Sequence, residues 1–174
     1  MVPRMSGGPG KYGALLALPL AALASTPASA ATANAQVNAN VVKPVVFTAT
    51  GSLNFGTIVI NKITANRTIS LSAANVLTCG NTTELICSGA TSVPTYNVQG
   101  TNKQVITINR NPSTLRNNVN GATLTLTPIG PASVTLTNSG APGSDFAIGG
   151  SFVITPTTGE GVYSGVVDVT VDYQ

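Results

Sequence analysis

Between Gly161 and Gln174 every odd position is glycine, tyrosine or valine: Gly161, Tyr163, Gly165, Val167, Val169, Val171 and Tyr173. The even positions include Ser164, Asp168, Thr170, Asp172 and Gln174. A period of two with one apolar face predicts a half-buried β-strand, here long and unpunctuated. The same period appears at the other end of the chain. Ala33, Ala35, Val37, Ala39 and Val41 alternate with Thr32, Asn34, Gln36, Asn38 and Asn40, predicting a strand over Ala31–Val42 that Lys43-Pro44 terminates.

Between these ends the pattern is short strands and turns. Val45–Thr50 and Leu53–Ile60 are separated by Gly51-Ser52. Thr68–Ala73, Val93–Val98, Gln104–Asn109, Ala122–Thr127 and Val134–Thr137 follow as strands, and Asn117–Gly121 carries turn chemistry. Phe146, Ile148, Gly150, Phe152 and Ile154 share one parity, predicting one strand kinked at Gly149-Gly150. No stretch downstream of Ala30 has helical periodicity. Roughly seven to nine short strands with frequent turn signals predict an all-β, immunoglobulin-like β-sandwich.

The first thirty residues stand apart. Arg4 and Lys11 precede an apolar run, Ala14–Ala24, and Ala28-Ser29-Ala30 has the small-x-small form of a cleavage site. This order predicts a signal peptide over residues 1–30, an N-terminal extension over 31–43 and a domain over 44–174. The apolar run is short and interrupted by Pro19, so no stable membrane span is expected. Beyond Ala30 six basic residues face five acidic ones, a net charge of +1. That balance gives no basis for nucleic-acid binding.

Cys79 and Cys87, in an exported chain, predict a disulfide. Histidine is absent, which removes the imidazole base of a serine-type triad. The five acids are scattered, with Asp145 and Glu160 the candidates for a distant carboxylate pair. No phosphate-cradling or calcium-loop motif occurs. The expectation is a protein that is not an enzyme, with no cofactor and no metal. Phe47, Phe55, Tyr163 and Tyr173 fall on apolar strand faces and read as core; Tyr96 fits either core or surface.

The chemistry that remains is strand pairing. A sandwich left incomplete beside its last strand can be completed by a donor strand from a neighbouring chain, through main-chain hydrogen bonds and alternate side-chain pockets. Val37 and Val41 would then carry most of the side-chain energy, with Ala33, Ala35 and Ala39 setting fit and register. The acceptor would be the inward row Gly161, Tyr163, Gly165, Val167, Val169, Val171 and Tyr173.

The ending, with Gly161 fourteenth from the end and Tyr173 penultimate, resembles that of chaperone–usher pilins. Leu53-Asn54-Phe55-Gly56 resembles an element near the start of archaic-type pilin domains. The order of a signal, an Ala/Thr-rich start, Leu-x-Phe-Gly-Thr-Ile and Gly-x-Tyr-x-Gly-x-x-x-Val-x-Val-x-Tyr is similar to that of the DUF4402 proteins. The resemblance covers both ends of the domain, and residues 61–144 match only in texture. It implies a fimbrial subunit, passed from a periplasmic chaperone to an outer-membrane usher and polymerised with its neighbours by donor-strand exchange. The expected location is the periplasm in transit, then a surface fimbrium serving attachment or biofilm formation. One departure is the position of the cysteines: many pilins bridge the start of the first strand, whereas here both lie later and close together. The alternative is a self-sufficient secreted β-sandwich, a binding module or matrix protein that does not polymerise. In that case residues 31–42 fold back on their own domain.

Overall fold

The computed structural model describes residues 30–80 and 83–174, and among them all helix-or-strand structure is β. The predicted signal peptide lies, but for Ala30, outside the described residues. The described chain falls into two units, residues 30–39 and Asn40–Gln174.

Residues 30–39 contain no strand and are exposed throughout. The strand predicted over Ala31–Val42 is therefore not formed within this chain. An alternating segment needs a pairing partner to satisfy its peptide groups, and periodicity alone does not supply one.

The larger unit is a β-sandwich. One layer begins with β1 (Val46–Thr50) and β2 (Thr57–Ile60). They pair antiparallel with β6 (Thr95–Gln99) and β5 (Leu85–Ser88), respectively. An isolated bridge between Asn54 and Ser92 joins the two ladders. The far edge of β6 carries β11 (Ser144–Ala147). The facing layer contains β3 (Arg67–Leu71), β4 (Leu77–Thr78), β7 (Val105–Asn111), β8 (Ser113–Asn117), β9 (Thr123–Ile129) and β10 (Ser133–Thr135). It is completed by β12 (Gly149–Ile154), β13 (Tyr163–Ser164) and β14 (Asp168–Tyr173). Its ladders run β13-β8-β9-β12-β3-β4 and β10-β7-β14.

Two apolar clusters fill the space between the layers. Tyr96, Val98, Ile106, Ile108, Leu136, Phe146 and Ile148 form the first. Ile63, Ile69, Leu85, Leu126, Phe152 and Ile154 form the second, and Val167 packs against both. The shared parity of Phe146, Ile148, Gly150, Phe152 and Ile154 is realised, for all five are buried. The break falls at Ile148 rather than at Gly149-Gly150, and there the chain crosses from β11 in one layer to β12 in the other.

The final strand is not unpunctuated. Tyr163 and Ser164 pair with Asn117 and Arg116, and Asp168–Tyr173 pair with residues 111–106. Between these ladders Gly165, Val166 and Val167 oppose Pro112, Ser113, Thr114 and Leu115, so the register slips by one residue. Pro112, which has no N–H to give to a ladder, lies in this bulge, a place where a strand tolerates proline. The Ser113 hydroxyl donates to the Val166 carbonyl at 2.6 Å across the gap. The sequence pattern also missed β8, whose Ser-Thr-Leu-Arg-Asn has too few apolar residues to read as a strand.

The Cys79–Cys87 disulfide is formed, with Cα atoms 6.1 Å apart. Local in sequence, it nevertheless ties the end of the β3–β4 hairpin to β5 in the first layer. Both cysteines pack on the second cluster.

Candidate functional site

The two layers meet differently at their two sides. On one side β10 and β11 approach each other. The other side is flanked by β1 and β14, the outer strands of their ladders.

The phase of the β14 ladder follows from its end. The Gln174 N–H donates to the Val105 carbonyl at 3.0 Å. In an antiparallel pair, residues alternate between turning both peptide groups toward the partner and turning both away. Asp168, Thr170, Asp172 and Gln174 therefore bond β7, while Val169, Val171 and Tyr173 turn their N–H and C=O groups to the outer edge. Among the described residues no strand pairs there.

The same three residues point their side chains inward and pack against the first cluster. Yet they are only half-buried, whereas Ile106 and Ile108 of the adjacent β7 are 0% and 3% exposed. Across the opening, Val45 and Phe47 at the start of the other layer are likewise half-buried against that cluster. Phe47 stacks on Tyr96 and Phe146, with ring centroids 5.4 and 6.1 Å away. Tyr96 thus belongs to the core, and burial holds its hydroxyl pKa above the usual phenol range. The result is a cleft with apolar walls and, on one rim, outward-turned peptide groups. Its acids, Asp168 and Asp172, lie on the exposed face of β14 and leave the interior uncharged. Between Asp168 and Tyr173 the edge has no proline, no lysine and no bulge, and its two charges are on the exposed face.

The predicted acceptor row is only partly one surface. Val167, Val169, Val171 and Tyr173 line the cleft. Tyr163 is half-buried beyond the register slip, its hydroxyl donating to the Gly159 carbonyl at 2.9 Å. Gly161 and Gly165 are exposed and, without side chains, add no apolar wall to the cleft. They are glycines for reasons of approach. Gly161 sits at φ +137°, and a Cβ there would strike the Asn117 carboxamide; at Gly165 one would lie 2.6 Å from the Thr114 carbonyl. Asn117, read from sequence as turn chemistry, is 1% exposed. Its Nδ2 donates to the Glu160 carbonyl (2.8 Å), and its Oδ1 accepts from Val119 N–H (2.9 Å).

The predicted donor residues Ala33, Ala35, Val37, Ala39 and Val41 are all exposed, Val37 and Val41 at 90% and 88%. At the Tyr173 end of the cleft lies a contact that periodicity does not reveal. The Tyr173 hydroxyl donates to the Lys43 carbonyl at 2.6 Å and accepts from the Thr101 N–H at 2.9 Å.

Asp145 and Glu160 belong to β11 and to the loop between β12 and β13. Asp145 accepts a bond from Asn97 Nδ2 at 2.6 Å. Among the described residues no cluster of His, Cys, Asp and Glu is placed to hold a metal ion, and no helix is long and apolar enough to cross a membrane.

Residues 45–173 match the family model of a domain of unknown function, DUF4402. The chain belongs to the DUF4402 family. No curated protein and no solved structure matches it. The DUF4402 match starts at Val45, so it spans all fourteen strands of the described residues and both apolar clusters, and residues 31–43 precede it.

Proposed function

We propose that this DUF4402 protein is a structural subunit of a bacterial surface fibre, polymerised by donor-strand exchange. The observation that carries the reading is the inner row of β14, with apolar side chains left half-buried beside peptide groups turned to an unpaired edge. In this reading the domain is an immunoglobulin-like sandwich lacking one strand. The extension Ala31–Val42 of a neighbouring copy supplies it, with Ala33, Ala35, Val37, Ala39 and Val41 on the face entering the cleft.

The exposed extension and the open cleft are complementary in chemistry. Both are uncharged, both alternate, and each has main-chain groups with no strand partner among the described residues. Addition of a strand would satisfy those groups and bury Val37 and Val41, worth about 1.5–3 kcal/mol each. An open edge of this kind is an aggregation hazard in transit. The resemblance to pilins implies a periplasmic chaperone that covers it and an outer-membrane usher that exchanges chaperone for subunit. Residues 1–30 act as the export signal, the disulfide forms in the periplasm, and the fibre serves attachment or biofilm formation. The role is structural and not enzymatic.

The test is assembly of the chain starting at Ala31. It should form polymers that resist SDS at room temperature and dissociate on heating. Removal of Ala31–Val41 should abolish them and leave a domain that binds a peptide of residues 31–42. A truncated chain that is monomeric but does not bind the peptide would instead identify a self-sufficient, non-polymerising sandwich.

A further inference from the structure

Tyr173 does more than fill the cleft. Its hydroxyl joins three distant segments: the Lys43 carbonyl accepts from it, and the Thr101 N–H donates to it. The Lys43 N–H closes the triangle by donating to Thr101 Oγ1 at 2.7 Å. A phenyl ring would serve the apolar face of β14 equally well. The hydroxyl is needed only for this triangle.

Gly100 makes room for it. Gly100 is buried, and its φ is not positive, so the backbone does not require glycine there. Space does: a Cβ would strike the Tyr173 hydroxyl and lie 2.9 Å from Leu136 Cδ1. The missing side chain and the hydrogen bonds are separate features that converge on one oxygen atom.

Lys43 is the residue at which the extension joins the domain, and Pro44 after it has a fixed φ and restricts Lys43 itself. A held Lys43 therefore gives the extension a stiff, directed base. We propose that Tyr173 is a positioning residue for strand donation: its hydroxyl fixes the root of the extension at the end of the strand that accepts a neighbour's extension. This rests on the donor-strand reading above. A fixed root lowers the conformational entropy lost when the extension docks. It thereby assigns to Tyr173 a role in donating as well as accepting. A subunit whose root is loosened away from the cleft wall should accept normally and donate poorly.

The experiment uses Tyr173→Phe in the full chain, exported and then refolded from denaturant at low concentration. Amide hydrogen exchange is followed at Thr101 and Lys43. Assembly rate and binding of a synthetic peptide of residues 31–42 are measured in parallel. The expected result is exchange at both amides faster by about tenfold, the order of one lost hydrogen bond. Assembly slows by a similar factor; Thr101→Val, which removes the acceptor of the Lys43 N–H away from the cleft wall, slows it likewise and leaves peptide binding within about twofold of wild type. Gly100→Ala, which displaces the hydroxyl by crowding, should reproduce the faster exchange. Unchanged exchange in both Tyr173→Phe and Gly100→Ala overturns the proposal. So does faster exchange with wild-type assembly, or, in Thr101→Val, peptide binding that weakens in step with assembly. A wild-type chain that neither assembles nor binds the peptide overturns the donor-strand reading itself, a failure visible without any variant.

Discussion

The two valines of the extension give the sharpest quantitative test. Val37 and Val41 are 90% and 88% exposed in the free chain, so they contribute almost nothing to its folding. Docked in the cleft they would pass from water to an apolar wall. Replacement of each by alanine removes two methyl groups. At about 0.8 kcal/mol per buried carbon, each substitution should weaken docking by about 1.6 kcal/mol, or roughly 15-fold. Together they should weaken it by about 3 kcal/mol, or roughly 200-fold, if the two sites act independently. The acceptor for the assay is the chain from Lys43 to Gln174. It retains every strand and both apolar clusters, which begin at Val45. A labelled peptide of residues 31–42 is titrated against it by fluorescence anisotropy, in wild-type, single and double alanine forms. The intact variants should melt within about 1 °C of wild type, because surface substitutions rarely exceed a few tenths of a kcal/mol. A double variant that binds within threefold of wild type would refute the assignment of Val37 and Val41 to the buried face.

Other features of the fold carry their own expectations. Gly161→Ala places a side chain at φ +137° and against the Asn117 carboxamide, so it should destabilise by about 2–3 kcal/mol in denaturant unfolding. Asn117→Ala strips partners from the Glu160 carbonyl and the Val119 N–H and should lose a comparable amount, about 2–3 kcal/mol, measured the same way. Reduction of Cys79–Cys87, eight residues apart in sequence, should lower stability by about 2.5 kcal/mol, which guanidinium titrations with and without reductant would show. The Arg67 guanidinium bonds Glu84 and holds its carboxyl below the usual range. A depressed folded-state pKa contributes stability that is present above the unfolded value of about 4.3 and lost as pH falls through the folded one. Glu84→Gln should remove that part of the acid dependence, read from unfolding midpoints between pH 6 and pH 2.

Alternation made much of this fold legible. The inward row of β14, the single parity of Phe146–Ile154 and the disulfide all follow from residue type and spacing. Each is decided by contacts that the local pattern reports directly. What the pattern could not report is set by neighbours. The bulge at Pro112 lies fifty residues from the strand it faces, so Gly161–Gln174 looks continuous until the two are paired. Gly161 and Gly165 share the parity of the apolar row, yet without side chains they could not declare whether they served a core or a close approach. Asn117 sits in a run of turn residues, and its burial arises only when the loop at Glu160 closes over it. Lys43 read as a strand breaker, and its role at Tyr173 needed a partner 130 residues away. Ala31–Val42 shows the opposite case: its pattern is plain, but its partner is not within this chain's described strands.

The alternation of peptide groups along β14 offers the most direct measurement of the central claim. Amide exchange is recorded residue by residue on the Lys43–Gln174 chain, first alone and then with the peptide of residues 31–42. Before addition the Thr170, Asp172 and Gln174 amides, bonded to β7, should be protected, while those of Val169, Val171 and Tyr173 exchange freely. On addition the second set should become protected and the first should change little. Peptide binding that leaves Val169, Val171 and Tyr173 exchanging as before would contradict strand addition at this edge.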